Sequence, residues 1–127
     1  MRKAVGAALG TLVLALAGLA VVPVAAAKDG DVRVAGTCTR SSTAKIKLSE
    51  ENGRIEVEFE VDQNRNGVRW AVVLRRNGQV IRRTTRVTRG PSGSFELRAL
   101  AANGAGADRI SGVATRRGES CRAAASF

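Results

Sequence analysis

The sequence predicts an all-β domain of seven or eight short antiparallel strands, arranged as a sandwich or a barrel, and three observations carry that expectation. Residues 55–61, Ile-Glu-Val-Glu-Phe-Glu-Val, put an apolar side chain at each odd position and a glutamate at each even one. That period of two belongs to a strand with one buried and one wet face. Asn-Gly pairs beginning at Asn52, Asn66, Asn77 and Asn103 interrupt the chain at short intervals, as turns between strands do. After Lys28 no stretch keeps a helical period over three turns.

The elements follow in order. Residues 32–37 alternate weakly and predict a first strand ending at Cys38. Ala44, Ile46 and Leu48 alternate with Lys45 and Lys47 in a second, closed by a turn at Glu50-Glu51-Asn52-Gly53. The glutamate-striped strand comes next, then a connection over residues 62–67. Trp70, Val72 and Leu74 alternate up to Asn77-Gly78, and Asn-Gly tolerates the positive φ that a two-residue type I′ hairpin needs at both central positions. Such a turn sets Arg75 opposite Val80, Leu74 opposite Ile81, Val72 opposite Arg83 and Trp70 opposite Thr85. Arg89-Gly90-Pro91-Ser92-Gly93 breaks the chain, and Phe95, Leu97 and Ala99 alternate beyond it. Residues 101–107 form a loop, and residues 108–115 and 119–127 make the last strands, joined across Arg116-Arg117-Gly118.

The N-terminus reads differently. Met1-Arg2-Lys3, an apolar run over residues 4–22 and the small residues Ala25-Ala26-Ala27 have the layout of a secretory signal peptide cut after Ala27. An uncleaved anchor is the alternative, since the run is nearly long enough to span a bilayer; the small-residue site favours removal. The expectation is a signal peptide over residues 1–27 and one exported domain over residues 28–127. A domain of about 100 residues gains from a covalent tie. Cys38 and Cys121, the only cysteines, are expected to supply it as a disulfide between first and last strands. Closing so long a loop is worth about 4 kcal/mol in chain entropy.

From Arg54 onward the order resembles a fibronectin type III or immunoglobulin-like β-sandwich: a glutamate-striped strand, a strand carrying Trp70, a hairpin, a strand over residues 94–100, then Asp108-Arg109-Ile110. The last triplet is similar to the Asp-x-aromatic entry to the penultimate strand of such domains. The resemblance covers most of residues 28–127 and implies a sandwich rather than a barrel. Two departures stand out: Ile110 occupies the tyrosine-corner position in a chain without tyrosine, and the cysteines fall on the first and last strands rather than the second and sixth. Leader, composition and pattern together are similar to small exported actinobacterial proteins. A fold of this kind hosts many functions and chooses none.

Composition narrows the chemistry. The chain has no histidine, which removes Ser-His and Cys-His nucleophilic systems and leaves two cysteines unable to complete a zinc site. Ser42-Thr43-Ala44-Lys45 matches a Ser-x-x-Lys signature but lacks the helix start and companion motifs that chemistry needs. Glu56, Glu58 and Glu60 stand in one row on a wet strand face, a poor setting for a carboxylate pair around a glycosidic bond. Asp62-Gln63-Asn64-Arg65-Asn66-Gly67 resembles the opening of a calcium loop, with Asp62, Asn64 and Asn66 as donors. Val73 stands where the bidentate glutamate belongs, so a turn in which these side chains cap their own backbone is preferred. No cofactor is expected, and no enzymatic activity.

Charge points to a partner. Without Arg2 and Lys3, 19 basic residues face 11 acidic ones, a net +8, and residues 63–95 hold eight arginines and no carboxylate. Hairpin parity groups Arg69, Arg75, Arg82 and Arg86 on one sheet face, away from Trp70, Val72, Leu74, Ile81 and Val87, with Arg69 opposite Arg86. Phe59, Trp70 and Phe95 sit on core parities, leaving Phe127 as the one ring free to be exposed. The leading expectation is a secreted, non-enzymatic binding or adhesion module whose arginine face meets an anionic polymer: a wall glycan, an acidic polysaccharide or extracellular DNA. The alternatives are a structural or protein–protein interaction domain whose arginines serve solubility, and an inhibitor of a secreted hydrolase acting through residues 89–94.

Overall fold

A computed structural model describes Gly18 and residues 30–127; the expected leader, residues 1–27, lies outside the described residues apart from Gly18. Nine strands and no helix are found among them: β1 (Val32–Ala35), β2 (Thr37–Cys38), β3 (Thr43–Glu51), β4 (Arg54–Asp62), β5 (Arg69–Arg76), β6 (Gln79–Val87), β7 (Ser94–Ala102), β8 (Arg109–Arg116) and β9 (Glu119–Ser126). They form two antiparallel sheets, ordered β1-β3-β4-β7 and β2-β9-β8-β5-β6, packed face to face as a β-sandwich. The count exceeds the expected seven or eight because the first strand is divided. Its halves lie in different sheets, β1 on β3 and β2 on β9, with Gly36 at the crossing. A Cβ at Gly36 would stand 2.2 Å from the Arg122 carbonyl oxygen, so only glycine lets the chain change sheets so close to β9.

Alternation builds the core. The inward side chains of β4 (Ile55, Val57, Phe59, Val61) and β5 (Trp70, Val72, Leu74) are fully buried and pack with Ile46, Leu48, Leu97 and Ile110. The Trp70 and Phe95 rings lie tilted with centroids 6.2 Å apart, and Trp70 Nε1–H donates to Gln63 Oε1 at 3.1 Å. Phe127, the one ring that strand parity leaves free to be exposed, is 92% shielded: its N–H and C=O both bond to Asp108, which holds it against the core.

Asn52-Gly53 and Asn77-Gly78 make two-residue hairpins in which all four residues take positive φ, between 49° and 83°. Arg75 faces Val80 as that turn requires. Beyond it the expected register fails, because Ile81 enters as a β-bulge between Leu74 and Arg75. A bulge sets two residues against one and shifts everything that follows by one place. Leu74 therefore faces Arg82, Val72 faces Thr84, Trp70 faces Arg86, and Arg69 faces Val87 rather than Arg86.

Candidate functional site

The bulge redraws the arginine face. Side chains directly opposite in a ladder share a side of the sheet, so Arg82 and Arg86 fall on the core side with Leu74 and Trp70, and Val87 falls outside with Arg69. The expected set of Arg69, Arg75, Arg82 and Arg86 is thus split. Arg69 and Arg75 point outward, and Arg83, opposite Val73, joins them. β6 is the sheet's last strand, which is how Arg82 can sit on the core side and remain exposed.

Two further arginines reach the same outer face from strands far along the chain. In β8 the buried Ile110 and Ala114 fix the inward parity, which turns Arg109 outward; in β9 the buried Cys121 and Ala123 do the same for Arg122. One row crosses four strands, Arg83–Val73–Val113–Arg122, placing two guanidinium stems on either side of a half-buried valine pair. At strand spacing these stems stand roughly 14 Å apart, and Arg69 and Arg75, six residues apart on β5, roughly 20 Å. The five arginines thus surround a patch of valine, alanine, serine and threonine.

Glu119 is the one acidic residue in the five strands, and it points inward and is buried. The ion pairs of this sheet, Arg76 with Asp108 at 2.7 Å and Arg116 with Glu119 at 3.1 Å, use other arginines. Among the described residues the outer five have no carboxylate partner.

The remaining sequence candidates have structural positions. Cys38 and Cys121 face each other across β2 and β9 and form the expected disulfide, with Cα atoms 4.0 Å apart. The nearby Glu119 Oε1 accepts from the Ser42 hydroxyl at 2.7 Å and from Arg116, while Oε2 accepts from the Ser42 N–H at 3.1 Å. Burial pushes the Glu119 carboxyl up, but the Ser42 and Arg116 donors outweigh it and hold it below the usual carboxylate range. The Arg116 guanidinium also lies 5.4 Å from the Trp70 ring centroid. Ser42 is thereby committed inward, whereas Lys45 points outward to Glu60 at 3.5 Å; the Ser-x-x-Lys residues do not meet. Asp62 Oδ1 accepts from the Asn64 N–H at 3.0 Å, and Asn64 takes a φ of 58°, the backbone-capping turn expected there. The loop 89–94 is closed on itself by the Arg89–Ser94 bridge and by Gly93 N–H donating to the Arg89 carbonyl.

No protein-family model, curated protein or solved structure matches the chain.

Proposed function

We propose that the protein is an exported, non-enzymatic binding module of fibronectin type III-like design that holds anionic polymers against the outer face of its five-stranded sheet. The observation that carries this reading is the convergence of Arg69, Arg75, Arg83, Arg109 and Arg122 on one outer face without strand carboxylates, from four strands. Guanidinium groups bind phosphate, sulfate and carboxylate through paired donors, and a cluster of them raises the local positive potential. The rings offer nothing to stack on, since Phe59, Trp70, Phe95 and Phe127 are all buried. Charge is therefore the means of attachment, and sequence- or sugar-specific reading is not expected. The module design is supported by the order β3-β4-β7 facing β6-β5-β8-β9, which resembles that of fibronectin type III domains, with β1 and β2 added at the edges. Export is supported by the leader-like N-terminus and a buried disulfide. The test is retention on bacterial cell-envelope material and on immobilised duplex DNA, at low salt and at high salt. Retention lost at high salt is the expected result; retention that ignores salt, or none at physiological salt, defeats the proposal.

A further inference from the structure

β6 is the last strand of its sheet, and among the described residues no strand pairs with its outer side. The hairpin says which backbone groups face that opening. Counting by twos from the closing pair, Arg76 with Gln79, the β5 residues bonded to β6 are Leu74, Val72 and Trp70, and their partners are Arg82, Thr84 and Arg86. Arg83 and Thr85, between them, turn N–H and C=O to the open side. The Thr85 carbonyl is in keeping with that direction: Arg86 Nη1 at 3.3 Å and the Thr84 hydroxyl at 3.5 Å, both on β6 itself, donate to it. Open edges are commonly guarded by short length, proline or a covering loop. β6 runs nine residues without proline, and its guard is charge.

That charge selects a partner. Antiparallel pairing with a second copy would bring arginine-rich edges together, which like-charge opposition disfavours. A strand bearing carboxylates meets Arg82 and Arg86 on one side of its pleat and Arg83 on the other. We propose that the open edge of β6 captures an extended acidic segment of another protein as a sixth strand of this sheet. Main-chain bonds to Arg83 and Thr85 hold the segment, and its carboxylates pair with the arginines. As an incoming N–H takes over the Thr85 carbonyl, Arg86 is released to a carboxylate. This capture stands apart from polymer binding on the outer face, because it requires the edge backbone.

The probe is a synthetic peptide of alternating glutamate and threonine, added to the protein. Amide hydrogen exchange should show the Arg83 and Thr85 N–H groups slowing at least about ten-fold at saturation, as buried strand amides do. Thr85→Pro removes one outward N–H and leaves the β5 ladder whole; it should abolish capture while retention on DNA persists. Arg82→Glu with Arg86→Glu should weaken the peptide about ten-fold, from two reversed cross-strand charge pairs. N-methylating one alternate set of peptide residues should abolish binding, and methylating the other set should be tolerated. Binding that survives Thr85→Pro, responds equally to both methylation sets, or leaves Arg83 and Thr85 unprotected would be mere charge adsorption and would overturn the proposal. Loss of DNA retention with capture intact would instead count against the outer face alone.

Discussion

On the four-stranded sheet a column of carboxylates, Glu56, Glu58 and Glu60, stands beside Lys45, Lys47 and Arg98 at ion-pair distances between 2.7 and 3.6 Å. On the five-stranded sheet the outer arginines stand beside valine, alanine, serine and threonine, with no carboxylate among the strands that could answer them. Both faces are wet and both alternate against the same core. On the first, opposite charges across neighbouring strands stabilise the ladder a little. On the second, the arginines have no ion pair among the described residues, and their like charges repel one another at a distance. Charge that the fold does not use is the better candidate for charge that a partner uses.

The comparison requires that the faces be separable from the core, and the largest predicted effects are those that destroy both faces together. Trp70→Ala empties the centre of the sandwich and should cost about 3–5 kcal/mol in chemical denaturation, as for other large-to-small core changes. Reducing the Cys38–Cys121 bridge, or replacing both cysteines by serine, frees the first and last strands of their tie across 83 residues. It should cost about 2–4 kcal/mol and lower the melting temperature. Both variants should lose polymer binding only as they unfold; binding lost by a variant that remains folded would mean that the faces depend on more than the shared core.

Next comes the buried carboxylate behind the arginine-rich sheet. Glu119→Gln should cost about 1–3 kcal/mol, because the Ser42 and Arg116 donors lose a charged acceptor. The folded-state pKa of Glu119 lies below its unfolded value, so its contribution is present above the ordinary carboxylate range. It is lost as pH falls through the depressed folded value. Stability measured against pH should therefore drop on the acid side, and Glu119→Gln should flatten that drop. An unchanged acid limb would remove Glu119 from the account.

The smallest effects sharpen the comparison most. Arg98→Ala strips a partner from Glu56, Glu58 and Glu96 and should lower the melting temperature slightly, since pairs this open to solvent are screened. Arg83→Ala, on the other face, should stay within about 0.5 kcal/mol of the parent or gain slightly. If Arg83 costs as much as Arg98, the five-stranded face has structural partners of its own.

Much of this was legible in the sequence, and the failures have physical causes. The β4 stripe and the β5 alternation were readable because a buried face fixes parity at each second residue. Asn77-Gly78 gave the turn and its first pair correctly. Past Val80, however, Ile81-Arg82-Arg83-Thr84-Thr85-Arg86-Val87 has no apolar alternation to pin a register, so nothing local reveals the bulge that moves Arg82 and Arg86 to the core side. Arg109 and Arg122 lie outside the arginine block at residues 63–95, on strands whose arginines stand singly. The signal was there: Arg109 precedes the core residue Ile110, and Arg122 follows Cys121, whose bridge already placed it inside. Gly36 marked the division of the first strand, but only the approach to Arg122 shows why it is needed.

On the proposed reading, position on the outer face, and not net charge, sets polymer affinity. It is tested most directly by two double variants of equal charge, compared for the salt dependence of their binding to duplex DNA. Arg75→Glu with Arg122→Glu alters the five-stranded face; Arg33→Glu with Arg98→Glu alters the four-stranded one. The first pair should weaken binding steeply and lower the salt slope by about 2, one for each lost phosphate contact, while the second leaves the slope near the parent's. Equal losses from both pairs would mean that the DNA senses only overall charge, and the arginine face would have no claim to be a site.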